Sequence, residues 1–173
     1  MKKILKPIAV LLLLSGFVAC KTTRPVVLEE KPEVAITTNS ACRSSTIFPL
    51  QDEAGLKANI QSYAAGSLKK LKFKTGKTAK KANTRISKIE LVITESCAEK
   101  GDKNPPPVKL HQKMTMENTK TLQIYSFEVD TLINNRSLNP NQLAVAKVDY
   151  QSYIQPLTER NFKKAKVFFA KKK

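Results

Sequence analysis

Tryptophan is absent from the 173 residues, histidine occurs once, glycine five times and cysteine three times. One histidine and no CxxC pair remove the usual zinc ligand sets. No GxSxG or HExxH occurs, so two common hydrolytic arrangements are missing. Acidic residues are scarce, 14 against 31 Lys and Arg. Apolar runs are short as well. The longest, Ile8 to Ala19, has about 12 residues, well under the roughly 20 that span a bilayer. With seven Phe and four Tyr as its only aromatics, the chain must build its core on Ile, Leu and Val.

The N-terminus has the three parts of an export signal. Lys2, Lys3 and Lys6 are the positive region, Ile8 to Leu14 is the apolar region, and Ser15 to Ala19 leads to Cys20. Ala19-Cys20 resembles the lipobox of bacterial lipoprotein precursors, with Phe17 where the family usually has Leu. The resemblance implies a signal peptide over residues 1–19 and a lipid, palmitate among its chains, on Cys20. It implies a protein anchored in the cell envelope, at the outer membrane. Several acyl chains hold a protein stably where one holds it marginally.

Lipidation would use Cys20 and leave Cys42 and Cys97 as an even pair in an oxidising compartment. A disulfide between them closes a loop of about 55 residues, worth roughly 4 kcal/mol by chain entropy. Two buried free thiols are the alternative.

Loss of Lys2, Lys3 and Lys6 with the signal takes the formal charge from +17 to +14. Only five basic residues are Arg, a bias toward diffuse attraction to anions over bidentate recognition. The densest basic stretch has no acidic residue: Lys69, Lys70, Lys72, Lys74, Lys77, Lys80, Lys81 and Arg85. Arg160, Lys163, Lys164, Lys166 and Lys171 to Lys173 form a second cluster. The two make one positive face if the C-terminal element lies beside the preceding helix end. Anionic lipid, acidic polysaccharide or a protein partner fits such a face. Specific nucleic-acid binding is disfavoured, since stacking aromatics are not interleaved with the lysines.

Residues 20–40, with two prolines, several Thr and no helical period, read as a lipidated tether; Val26–Leu28 or Val34–Ile36 pairing as an edge strand is the alternative. A single domain follows over 41–173. Ser45 to Leu50 is a short β-rich run. Leu56, Ile60, Tyr63, Ala64, Ser67 and Leu71 recur at helical spacing, predicting a helix over 52–72. Residues 73–85 read as a basic loop. Ile86 to Cys97, Val108 to Met116 and Thr121 to Ile133 alternate as strands, the last two as a hairpin. A helix is expected after Asn139-Pro140, ending at Pro156, although Ala144 to Tyr150 also alternates as a strand. Lys166 to Ala170 reads as a final strand.

Other signals have plainer readings. Gly76-Lys77-Thr78 mimics the end of a phosphate loop, but Leu71 stands where its first glycine belongs. His111 falls on the polar phase of a strand. Glu128 and Asp130 share a strand face, the place for solvated carboxylates. Pro105 to Pro107 reads as a stiff loop.

These readings converge on an α+β domain, a long helix on an antiparallel sheet of about four strands with a second helix near the C-terminus. Element order over 45–133 is loosely similar to small envelope-assembly lipoproteins, including the lipopolysaccharide-assembly family; no motif carries the likeness, so no residue role passes with it. The expected function is a non-enzymatic, cofactor-free binding module of the envelope. The alternatives are a small envelope hydrolase and an immunity-type lipoprotein that inhibits a toxin.

Overall fold

A computed structural model describes residues 25–40, 53–95, 107–133 and 150–171. The signal, Cys20, Cys42, Cys97, the run at 45–50 and the segment 134–149 lie outside the described residues.

The architecture is α+β. In chain order it comprises β1 (Val26–Leu28), β2 (Glu33–Ser40), α1 (Glu53–Lys70), β3 (Lys74–Gly76), β4 (Thr84–Glu95), β5 (Val108–Asn118), β6 (Ile124–Ile133) and α2 (Tyr150–Lys171). The sheet has six strands and is mixed, against the four antiparallel strands expected. Its antiparallel half is the β4–β5–β6 meander. Its parallel half comes from the segment read as a tether.

β1 and β2 follow one another along the same side of β4. Val27 pairs with Thr84, and Glu33 to Ser40 pair with Lys88 to Glu95. β3 then pairs in parallel with β1, so the basic loop contains a strand. Val27, Leu28 and Val34 are buried, and burial of each contributes about 1.5–3 kcal/mol. Asn83 clamps β1: its Oδ1 accepts from the Val26 N–H at 2.8 Å and its own N–H donates to the Val26 carbonyl at 3.0 Å. Gly76 ends β3 where the chain turns back closely. A Cβ there would sit 3.1 Å from the Lys81 main-chain carbon, closer than most side-chain contacts allow.

Period-two alternation sets the two faces of the sheet. Ile89, Leu91 and Ile93 of β4, Leu110, Met114 and Met116 of β5, and Phe127 and Val129 of β6 all point into the core. A register shift between Ile86 and Lys88 lets Ile86 join them. Both helices cover this face. α1 supplies Leu56, Ile60, Ala64 and Leu68, and α2 supplies Ile154, Leu157, Phe162 and Ala165.

α1 ends in a Schellman motif. The Phe73 N–H donates to the Leu68 carbonyl and the Lys72 N–H to the Lys69 carbonyl, both at 3.0 Å. Lys72 takes φ 54°, a position usually held by Gly.

The C-terminus departs from expectation. Pro156 lies inside α2, and residues 166–170 are helical. Ile154, Leu157, Thr158, Asn161, Phe162 and Ala165 are all buried, a spacing of 3–4 residues that only a helix presents on one side. Burying that stripe outweighs the main-chain hydrogen bond that Pro156 cannot donate. Phe168 and Phe169 pack against Tyr125 and Phe127, with centroids 5.1–6.1 Å apart. As a strand the segment could not place both rings there.

Candidate functional site

The eight basic residues from Lys69 to Arg85 divide between two environments. Arg85 lies on the helix-free face of the sheet, where its Nη2 meets Glu117 Oε2 at 2.8 Å. That face balances its charges. Lys88 pairs with Glu90 at 2.9 Å, Lys109 with Asp130 at 3.3 Å, and Lys113 approaches Glu128 at 3.8 Å. His111 Nδ1 is 2.9 Å from Asp130 Oδ1. The His111 contact, then that of Lys109, holds the Asp130 carboxyl below the ordinary aspartate value. Glu128 and Asp130 are thus both engaged by cations.

The other seven follow the end of α1 and the edge of the sheet. Lys69 and Lys70 close α1, Lys72 is the left-handed residue after it, Lys74 is on β3, and Lys77, Lys80 and Lys81 occupy the turn before β4. Lys70 is taken by Glu159 of α2 at 2.8 Å. This contact, more than any other, holds the Glu159 carboxyl below its ordinary value. The remaining six are exposed, and among the described residues no carboxylate lies within ion-pair distance of them. Glu29, just after β1, accepts a hydrogen bond from the Thr75 hydroxyl of β3. The result is a rim of six uncompensated ammonium groups on the outer parallel strand and the adjoining helix end.

The C-terminal cluster does not join this rim as one face. Lys166 does reach it, donating to the Leu71 carbonyl at 2.8 Å. Phe162 supports the junction against Phe73, with ring centroids 6.0 Å apart. Arg160, Lys163 and Lys164 point instead toward β6. With Val129 and Asp130 they line an open cleft of about 450 Å³. The sequence shows these three only as members of a basic run. Helical spacing, which separates position 166 from 160 and 164, is the signal that could have divided them.

Two features bear on other chemistries. Among the described residues no group of three His, Cys, Asp or Glu could hold a metal, and no helix is long and apolar enough to cross a membrane. Gly76-Lys77-Thr78 ends an edge strand and opens a turn, without a following helix to receive a phosphate.

No family model matches the chain, and no curated protein matches it. Among solved structures it resembles a DUF330 protein from Xanthomonas campestris at 8% identity, covering 84% of this chain and 86% of that one with TM-score 0.46. It resembles rare lipoprotein B from Shewanella oneidensis at 10% identity, covering 81% and 95% with TM-score 0.39. A PelC dodecamer from Paraburkholderia phytofirmans matches at 9% identity over 80% and 89%, with TM-score 0.37. At these values the likeness concerns the outline of the fold, and no residue role passes across it.

Proposed function

We propose that the chain is a lipoprotein of the cell envelope, anchored at the outer membrane through Cys20, that works without catalysis by binding an anionic envelope component through its basic rim. One contrast carries the reading. Arg85 and the cations of the helix-free sheet face have carboxylate partners, whereas Lys69, Lys72, Lys74, Lys77, Lys80 and Lys81 have none among the described residues. Surface cations left uncompensated side by side repel one another and raise the potential of that rim. An anionic surface relieves the repulsion, each lysine contributing up to about 1 kcal/mol. Lipid on Cys20 would keep the rim close to such a surface.

The Cys42–Cys97 disulfide belongs to the same proposal, and its support is a register. Every partner pair between β2 and β4 is offset by 55 residues, from Glu33↔Lys88 to Ser40↔Glu95. Cys42 and Cys97 are separated by the same 55 residues, each two positions beyond the last pair. Facing residues of neighbouring strands have the Cα separation a disulfide needs.

The test uses the chain from Lys21, without lipid, and vesicles of anionic or zwitterionic phospholipid. Binding to anionic vesicles that fades as salt rises supports the reading. Joint replacement of Lys74, Lys77 and Lys81 by Gln should weaken that binding by roughly tenfold or more, at about 1 kcal/mol per lysine. Equal binding to both vesicle types, or no binding, would refute it.

A further inference from the structure

β6 is the terminal strand of the sheet path. Antiparallel ladders alternate bonded and unbonded residue pairs. A bond from the Asn118 N–H to the Gln123 carbonyl, at 2.8 Å, sets the phase in the β5–β6 hairpin. Odd-numbered residues 125–133 therefore exchange their main-chain bonds with β5. Even-numbered residues 124–132 turn theirs outward. Among the described residues no strand takes them up, and Lys164 Nζ, 2.6 Å from the Glu128 carbonyl, reaches one of them.

Two further observations define what would fit. On the helix side of this edge lie Arg160, Lys163 and Lys164, bordering the cleft; among the described residues none has an ion pair within 4 Å, although Lys163 lies near enough to Glu159 to help lower its carboxyl, which Lys70 already holds. Asp130 does not neutralise them, because His111 and Lys109 hold its carboxylate on the opposite face. On that opposite face Ile124 is 66% exposed and Leu132 is 52% exposed. They sit eight residues apart, at the two ends of the outward-bonding set. The middle of the edge is polar.

We propose that the β6 edge receives an extended segment of a protein partner, added as a seventh strand, with acidic side chains facing Arg160, Lys163 and Lys164 and apolar side chains beside Ile124 and Leu132. Main-chain bonds to an exposed edge supply affinity in this mode of recognition, and alternate side chains supply specificity. The partner is thus an amphipathic strand, acidic at every second position. Lys164 guards the edge when it is empty, as lysines on free edges do. On docking its ammonium passes from the Glu128 carbonyl to a partner carboxylate. This surface is separate from the basic rim and stands or falls independently of it.

The test uses the full chain in neutral detergent and the capped peptide VETETETEV. Its glutamates fall on one face and its terminal valines span the Ile124–Leu132 separation. Amide exchange of Ser126, Glu128 and Asp130 should slow when the peptide binds, while Tyr125, Phe127 and Val129 remain slow throughout. VQTQTQTQV should bind at least about tenfold more weakly, because charge-assisted bonds are lost. VEPETEPEV keeps the charge but loses the edge-facing donors at its third and seventh positions, which breaks the ladder, and should protect nothing. Joint Arg160→Gln and Lys163→Gln replacement should weaken VETETETEV by about tenfold, whereas Lys74→Gln with Lys77→Gln should leave it unchanged. Absence of protection at millimolar peptide overturns the proposal, as does equal binding of the proline peptide. Concentration-dependent protection without peptide also overturns it, by seating a second copy on the edge.

Discussion

Asn161 of α2 donates its side-chain amide to both oxygens of Gln112 on β5, the side-chain Oε1 at 3.0 Å and the main-chain carbonyl at 3.1 Å. Both residues have no exposed surface. Gln112 Nε2 in turn donates to Thr158 Oγ1 at 3.0 Å, one helical turn earlier on α2. Among the described residues Asn161 Oδ1 has no hydrogen-bond partner. This buried network fixes the register of the C-terminal helix over the sheet, and with it the position of Arg160, Lys163 and Lys164 beside β6.

Breaking the network from one end should therefore cost more than removing it. Gln112→Ala strands Thr158 and Asn161 and opens a cavity, and should lower unfolding free energy in urea by about 2–4 kcal/mol. The triple replacement Gln112→Leu, Thr158→Val and Asn161→Leu leaves no unpaired polar group and should stay within about 1.5 kcal/mol of the natural chain. A triple variant less stable than Gln112→Ala would contradict the account.

Acid stability should report the Asp130 contact. Its carboxyl is held below the ordinary aspartate value, first by the His111 hydrogen bond and then by Lys109. A lowered folded value means that the stabilising contribution is complete above the unfolded value and lost as pH falls through the folded one. His111→Gln should raise the Asp130 titration toward the ordinary value, which shrinks the contribution and completes its loss at higher pH. Carboxyl-carbon NMR titration reads the first effect and urea midpoints across the acid range read the second.

Removing residues 1–40 should abolish the fold. The cut takes β1 and β2, and with them Val27, Leu28 and Val34 from the core. At about 1.5–3 kcal/mol each, their loss approaches the whole stability of an ordinary domain, about 5–15 kcal/mol. It also bares one side of β4. Far-ultraviolet dichroism with thermal unfolding checks this, and a cooperative transition in the chain from Ala41 would argue against it.

The 55-residue offset of β2 and β4 makes a covalent prediction. Mass spectrometry of the non-reduced, exported chain should find the peptides of Cys42 and Cys97 joined. Cys97→Ser should cost up to about 4 kcal/mol. Two alkylatable thiols in that material would disprove the link.

Period-two alternation is a local property, so the sequence alone was enough to place β4, β5 and β6 and to name their buried faces. Ile89, Leu91 and Ile93 could sit on one side only. The spacing of Leu56, Ile60 and Ala64 was equally sufficient for α1. Ala19-Cys20 needed no fold at all to suggest an address. Tertiary structure decided the rest, because the physical cause was distant in the chain. Val27 becomes a strand residue through Thr84 and Thr75, each more than 40 positions away, and no local window contains them. Pro156 stands inside a helix because the buried stripe from Ile154 to Ala165 outweighs one missing donor. Lysine count could not tell rim from ion pair either. Glu159 and Glu117 withdraw Lys70 and Arg85 from the basic set, and the turn of α2 sends Lys166 to α1 and Lys164 to the sheet edge. Charge is written in the sequence, but a charge becomes a surface only when folding decides which of its opposites lies within reach.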